Sequence, residues 1–86
     1  MTIQVADFSA RLKKAMRQAR IAGLVDAADE VEARMSAAYT TSSEWLGEVG
    51  SAIRHFLKRE HGRVPPDLQQ QLERCLREVH KVWPDL

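Results

Sequence analysis

The stretch that decides the fold is residues 41–60, TSSEWLGEVGSAIRHFLKRE. Thr41 and Glu44 stand three positions apart, the spacing of a capping box in which each side chain satisfies a free amide of a helix's first turn. At about 100° per residue, the apolar side chains fall within an arc roughly 140° wide, which is typical of a helix that buries one face. These side chains are Trp45, Leu46, Val49, Ala52, Ile53, Phe56 and Leu57. The stretch therefore predicts a helix over 42–60, with the other segments packed around it.

Length and composition are those of an ordinary globular domain. The chain has 86 residues, of which 44% are hydrophobic and 29% are charged, and its formal net charge is +1. This near-neutral charge gives no general attraction to nucleic acid or to anionic lipid. No apolar run approaches the about 18–20 residues of a membrane span, and residues 1–10 lack the features of a signal peptide. We therefore expect one domain over 1–86, located in the cytoplasm and not in a membrane.

The first part of the chain contains two helical patterns that meet at a glycine. After a loose lead-in over 1–6, apolar residues recur at helical spacing and predict a helix over 7–22, capped by Asp7. A second pattern begins at Leu24 and predicts a helix over 24–39. Its apolar stripe is rotated by roughly 160° from the first stripe if the helix continues unbroken. Because one straight helix cannot bury both stripes against one core, Gly23 is predicted to end the first helix.

The last part of the chain is a loop followed by a fourth helix. The loop is HGRVPP, residues 61–66, in which Gly62 suits a helix end and the prolines suit the start of the next helix. An apolar arc roughly 120° wide then predicts a helix over 65–83, which Pro84 stops. Glu73 and Arg77 stand four residues apart on this helix, as Glu30 and Arg34 do on the second, and each spacing predicts an ion pair within one helix.

The four patterns together predict an all-α fold, a small four-helix bundle or four-helix array with antiparallel neighbours and short loops. A three-helix form, in which the first two elements merge into one kinked helix, is the nearest alternative. Gly50 lies beside the apolar arc of the third helix and is predicted to admit the close approach of another helix. Gly47 points away from that arc, and the predicted fold gives no reason for it. A contact surface for a partner is one interpretation.

The residues that could perform chemistry form no recognisable motif. The three histidines and the single cysteine are separated along the chain, and no spacing matches a helical metal site or a catalytic triad. The acidic residues of the second helix match no calcium loop, and we interpret them as a solvated face. We therefore predict no enzymatic activity, no metal site and no cofactor. An enzyme would require a pocket that gathers at least two of His55, His61, His80 and Cys75.

Two sets of residues remain as candidates for binding. Large aromatic side chains dominate protein interfaces, so Tyr39, Trp45 and Trp83, with Gly47, form a candidate partner surface. Core packing is the alternative interpretation for Trp45, and we prefer it. The second set is the basic stripe of the first helix, in which Lys13, Arg17 and Arg20 recur at a spacing that suits successive phosphates. Pairing with the acidic second helix would explain that stripe without a ligand.

By exclusion, the sequence favours a small cytoplasmic helical module that binds another protein without catalysis. Regulators, adaptors and toxin-neutralising proteins share this size and makeup, which is an analogy of scale. Its partner is expected to be a different protein or a second copy of the chain, since a homodimer would cover more of so small a core. The alternative is a nucleic-acid-binding protein that uses the basic face of the first helix.

Overall fold

The computed structural model describes residues 5–86, and within them it contains four α-helices joined by short connections. The helices are α1 (Val5–Ile21), α2 (Val25–Ser36), α3 (Ser42–Arg59) and α4 (Pro66–His80). The predicted all-α, four-helix class is confirmed. One half of the predicted capping box is observed: the Thr41 hydroxyl accepts a hydrogen bond from the Glu44 amide at 3.1 Å and fixes the start of α3.

A glycine turn separates α1 from α2. Gly23 has a φ of 87°, in the left-handed region that other residues enter at a cost. The Leu24 amide donates to the Ala19 carbonyl at 2.9 Å and the Gly23 amide donates to the Arg20 carbonyl at 3.0 Å, which together form a Schellman motif. Leu24 and Ala19 are both buried, so the motif also has its usual apolar contact. The alternative with one merged helix through Gly23 is therefore wrong.

The four helices form a closed ring in which α1 packs on α2, α2 on α3, α3 on α4, and α4 on α1. Contacts between neighbours pair early residues of one helix with late residues of the next, which shows that all four seams are antiparallel. Arg20 near the end of α1 lies beside Asp29 of α2, and Gln18 of α1 lies beside Gln71 near the start of α4. Met35 near the end of α2 lies beside Trp45 near the start of α3, and Trp83 just after α4 reaches Ser43 at the start of α3. In this ring α1 and α3 lie diagonally, and their outer faces point away from each other.

Each helix contributes its predicted apolar stripe to one core. The buried set is Phe8, Leu12, Ala15, Met16 and Ala19; Leu24, Ala27, Ala28 and Val31; Leu46, Val49, Ile53 and Phe56; and Leu68, Leu72, Cys75 and Val79. Gly50 lies in this core, where a Cβ built on it would stand 2.6 Å from Val79 Cγ1. The predicted close approach of another helix at Gly50 is thus confirmed.

Three helix ends differ from the predicted bounds by two residues or more, and the others agree to within one residue. α1 already includes Val5, so Asp7 lies inside the first turn and is not the cap. Residues 1–4 of the predicted lead-in lie outside the described residues. α2 ends at Ser36 instead of 39, because Ala37 is extended and the Met35 carbonyl accepts the indole N–H of Trp45 at 2.9 Å.

The fourth helix also stops early, at His80 instead of 83. The amides of Lys81 and Val82 donate to the carbonyls three residues back, Glu78 and Val79, at 3.3 and 3.0 Å, so the last turn tightens and the α-helix ends ahead of Pro84. The turn carries the following residues back over α3. Within residues 5–86, no helix has the length and apolar character that crossing a membrane requires.

Candidate functional site

A groove of about 370 Å³ lies on the outer face of α3. Tyr39 from the α2–α3 connection forms one wall, and Trp83 from the turn after α4 forms the other. Gly47 and Ser51, one helical turn apart on α3, lie between them. The groove is completed by Glu44, Glu48 and Leu86. The fold therefore brings together three of the four predicted partner residues, Tyr39, Gly47 and Trp83.

The position of Trp83 explains the glycine at 47. The indole N–H of Trp83 donates to the Ser43 carbonyl at 2.7 Å, in the first turn of α3. A Cβ built on Gly47 would stand 3.1 Å from Trp83 Nε1 and 3.2 Å from Cε2. Gly47 thus has a role in the fold that the sequence did not reveal: it admits the indole ring. Trp83 is nevertheless 40% exposed and presents the rest of its surface to the groove.

Trp45 lies apart from this groove, as the core interpretation predicted. Its ring meets Phe8 edge to face, with 5.8 Å between centroids and 79° between planes. Its indole N–H is bound to the Met35 carbonyl. Because its ring packs on Phe8 and its indole N–H is hydrogen-bonded to Met35, Trp45 is not part of the candidate site.

The charge of the groove is negative. Among the described residues that line it, Glu44 and Glu48 are acidic and none is Lys, Arg or His. Glu48 also forms an ion pair with Arg34 across the exposed α2–α3 seam, with 3.4 Å between Glu48 Oε2 and Arg34 Nη1. The groove therefore combines two aromatic walls with carboxylates that attract cations.

The groove continues into a furrow that lies between α2 and α3, the α2–α3 furrow. This furrow measures about 550 Å³, and it shares Glu48 and Ser51 with the groove. Its edges carry exposed ion pairs, including Glu30 with Arg59 at 2.8 Å. Glu30 pairs across the seam and not with Arg34 on its own helix, so the pair predicted within α2 is replaced by pairs between helices. These exposed pairs contribute about 0–1 kcal/mol each, so a partner could displace them at small cost.

The residues weighed for catalysis lie in different environments. His55 Nε2 is 3.9 Å from Glu30, His61 is exposed in the α3–α4 connection, and His80 Nε2 contacts the Leu86 carbonyl at 2.5 Å. Cys75 is buried between α1 and α4, and burial raises the pKa of its thiol although Arg11 and Arg74 oppose that rise. Within residues 5–86, no three His, Cys, Asp or Glu side chains are arranged to hold a metal ion.

The predicted basic stripe of α1 is divided by its neighbours. Arg20 binds Asp29 at 2.6 Å and Glu32 at 2.8 Å, and these two hydrogen bonds raise the pKa of its guanidinium. Lys13 and Arg17 border a shallow depression of about 200 Å³ beside Glu32. Arg20 is therefore engaged within the fold, and Lys13, Arg17 and Arg20 do not present three equivalent free cations.

Sequence reasoning missed residues that line two concave surfaces of the bundle. Ser51 and Leu86 line the groove, but neither residue type signals binding on its own. On the opposite side, Arg74 of α4 joins Arg11 and Lys14 of α1, a convergence that is invisible until the two helices are paired. Comparison of the chain with protein-family models, curated proteins and solved structures finds no match.

Proposed function

We propose that the protein is a small cytoplasmic, non-catalytic interaction module whose groove on α3 binds a segment of another protein. The observation that supports this is the assembly of Tyr39, Gly47 and Trp83 in one groove of about 370 Å³. The occupant we propose is a segment that presents an Arg or Lys side chain beside an apolar one. Regulators, adaptors and toxin-neutralising proteins share this size and composition.

The aromatic walls and the acidic rim support this choice of occupant. An Arg or Lys side chain has an apolar stem that can lie along Trp83 or Tyr39, and a charged end that Glu44 or Glu48 can bind. A cation over an exposed aromatic face adds about 0.5–1 kcal/mol. An acidic segment would instead meet two carboxylates with no cation among the described lining residues.

The neighbouring α2–α3 furrow supplies further contact area. A stable protein interface buries more than about 1,000 Å² in total, which the groove alone does not provide. The furrow shares Glu48 and Ser51 with the groove and extends the concave surface along α3. A partner helix or extended segment that follows α3 would cover both.

A second copy of the chain is a poorer occupant than a different protein. The basic residues of α1 would be the complementary surface, but α1 and α3 lie diagonally in the ring and face opposite ways. Contacts between such faces are head to tail, so they extend into open chains or rings instead of closing a two-fold dimer. We therefore expect the free protein to be a monomer.

The proposal is tested with Ser51→Arg, which places a bulky cation in the groove. Ser51 is exposed, so the substitution removes no core contact. Ala10→Arg is the matched control, because it adds the same charge at an exposed position of α1 that does not line the groove. Each variant, tagged, is used to capture proteins from cells of the source organism, and captured proteins are then purified and titrated against each variant.

The expected result is a partner that binds the wild type and Ala10→Arg equally and binds Ser51→Arg about tenfold or more weakly. The segment of that partner that contacts the groove should contain Arg or Lys beside an apolar residue. A partner that binds Ser51→Arg as tightly as the wild type would overturn the proposal. Light scattering that shows a stable dimer, disrupted by Ser51→Arg, would replace the proposed occupant with a second copy.

A further inference from the structure

The α1–α4 furrow is a separate concave surface, which follows the seam between α1 and α4 on the side of the bundle away from the α3 groove. Its deeper part measures about 250 Å³ and is lined by Arg11 and Lys14 of α1 and by Gln71, Arg74 and Cys75 of α4. A depression of about 410 Å³ adjoins it through Gln71 and Arg74 and extends the basic lining. Its other lining residues are Gln18, Asp67, Gln70 and Arg77.

We call Arg11, Lys14, Arg74 and Arg77 the furrow cations. Within residues 5–86, no carboxylate oxygen lies within ion-pair distance of any of them. The predicted pair of Glu73 with Arg77 is not formed, and Glu78 binds Lys81 at 3.4 Å. On α1 itself, Arg20 shows the contrast, because two carboxylates of α2 hold it at 2.6 and 2.8 Å.

Four like charges along one furrow repel one another, and Asp67 is the one carboxylate among the described lining residues, which leaves an excess of positive charge. The floor adds no negative charge, because burial raises the pKa of the Cys75 thiol and keeps it protonated near neutral pH. A bound anion would relieve this repulsion, and the gain is larger in a furrow than on an open surface because solvent screens less there.

The furrow also offers amide donors. Gln71 Nε2 donates to Gln18 Oε1 at 2.7 Å across the seam, which leaves the amide group of Gln18 free to donate to a ligand. Arginine guanidinium groups bind phosphate oxygens through two parallel hydrogen bonds, so Arg11 and Arg74 on facing helices can hold one phosphate between them. Because α1 and α4 are antiparallel, Lys14 and Arg77 lie about one helical turn from this pair on opposite sides of it, so each can meet a phosphate next to the central one.

We propose that the α1–α4 furrow is a binding site for ligands that carry consecutive phosphate groups. The site differs from the basic stripe suggested by the sequence, since it uses Arg11 and Lys14 with two arginines of α4 and does not require Arg20. Consecutive phosphates occur in free oligophosphates and in the backbone of single-stranded nucleic acid. The proposal is independent of the partner groove on α3.

The test uses two probes, inorganic tripolyphosphate and a short oligothymidylate, each titrated by calorimetry at about 50 mM and about 200 mM salt. The furrow variant is Arg11→Gln with Arg74→Gln, and a second furrow variant is Lys14→Gln with Arg77→Gln. The control is Arg54→Gln with Lys58→Gln, which removes the same charge from exposed positions of α3. Thermal unfolding confirms that each variant folds.

At least one probe is expected to bind the wild type, and each furrow variant is expected to weaken it about tenfold or more. The control should change binding by less than about twofold, because long-range effects between exposed charges are screened. If the oligothymidylate binds, its log–log salt slope should fall by about 1.4 in a variant that loses two phosphate contacts. Binding of tripolyphosphate alone assigns a free ligand, and binding of the oligothymidylate assigns the nucleic acid backbone.

Two results would overturn the proposal. One is the absence of binding of either probe at the lower salt concentration. The other is an equal loss of affinity in the furrow variants and in the control, which would show that net charge alone attracts the probe.

Discussion

The indole N–H of Trp83 donates to the Ser43 carbonyl at 2.7 Å and joins two residues that are 40 positions apart in the chain. This bond holds the turn after α4 against the first turn of α3. One wall of the groove is thereby fixed in place, although the chain has already left its last helix there.

Gly47→Ala should displace the Trp83 ring without unfolding the protein. The added Cβ would stand 3.1 Å from Trp83 Nε1, so the ring must move by a few tenths of an ångström. The helix gains about 1 kcal/mol from alanine, which offsets the about 1 kcal/mol of a weakened hydrogen bond. Amide and indole NMR should therefore show a shifted Trp83 indole resonance and an unchanged Trp45 resonance. An unshifted Trp83 signal would contradict this geometry.

Gly50→Ala should destabilise the bundle, in contrast to the same change at 47. Its Cβ would stand 2.6 Å from Val79 Cγ1, inside the core, where overpacking costs about 1–3 kcal/mol. After the gain of about 1 kcal/mol in helix propensity, we expect a net loss of up to about 2 kcal/mol in the free energy of unfolding. Urea denaturation measures it, with Gly47→Ala as control. A more stable Gly50→Ala protein would show that α3 and α4 are not this close.

Gly23→Ala should cost about 1–2 kcal/mol, the penalty of a left-handed conformation for a residue with a Cβ. The cost arises from the backbone alone, since a Cβ at Gly23 would meet no atom within 4 Å. Gly23→Asn should recover part of the loss, because asparagine tolerates this conformation. Equal stability of Gly23→Ala and the wild type would indicate that α1 continues past residue 23.

Trp45→Phe should destabilise the fold more than Trp83→Phe. The first change leaves the Met35 carbonyl at the end of α2 without its donor, in a half-buried position, at a cost of about 1–3 kcal/mol. The second removes a bond to Ser43 in an exposed position, where water can replace it. Urea denaturation followed by circular dichroism compares the two. The reverse order of stability would contradict the packing described for Trp45.

The Cys75 thiol should make stability depend on alkaline pH. Burial raises its pKa in the folded protein above the value of about 8.5 in an unfolded chain. The folded state therefore holds the proton more tightly, and the free energy of unfolding falls as pH rises above about 8.5. Denaturation at neutral and alkaline pH should show this fall in the wild type, and it should be smaller in Cys75→Ala. Identical pH profiles for the two proteins would place Cys75 in contact with solvent.

Local features of the sequence predicted most of the fold, because the physics behind them is local. The phase change at Gly23 and the cap at Thr41 each depend on residues within one or two helical turns. The end of α2 was missed because it depends on Trp45, which takes the Met35 carbonyl from the next helix. Periodicity within a segment does not contain that information.

The candidate sites were only partly predictable for the same reason. Aromatic type alone pointed to Tyr39 and Trp83, but their meeting across α3 depends on the turn after α4. The ion pairs also depend on which helices are neighbours, since Glu30 pairs with Arg59 of α3 and not with Arg34 of its own helix. The furrow between α1 and α4 could not be foreseen, since its two walls come from opposite ends of the chain.

The order in which the ring closes has a consequence for the α1–α4 furrow. Three seams of the four-helix ring join helices that follow each other in the chain. The fourth seam joins α1 to α4, where Gln18 and Gln71 are 53 positions apart. A long loop must close before contacts between distant segments are made, so we expect the α1–α4 seam to form last. The furrow exists only when this last seam is shut. A phosphate ligand that binds there would bind only the fully folded bundle, and it would slow the detachment of α1 from α4 during unfolding.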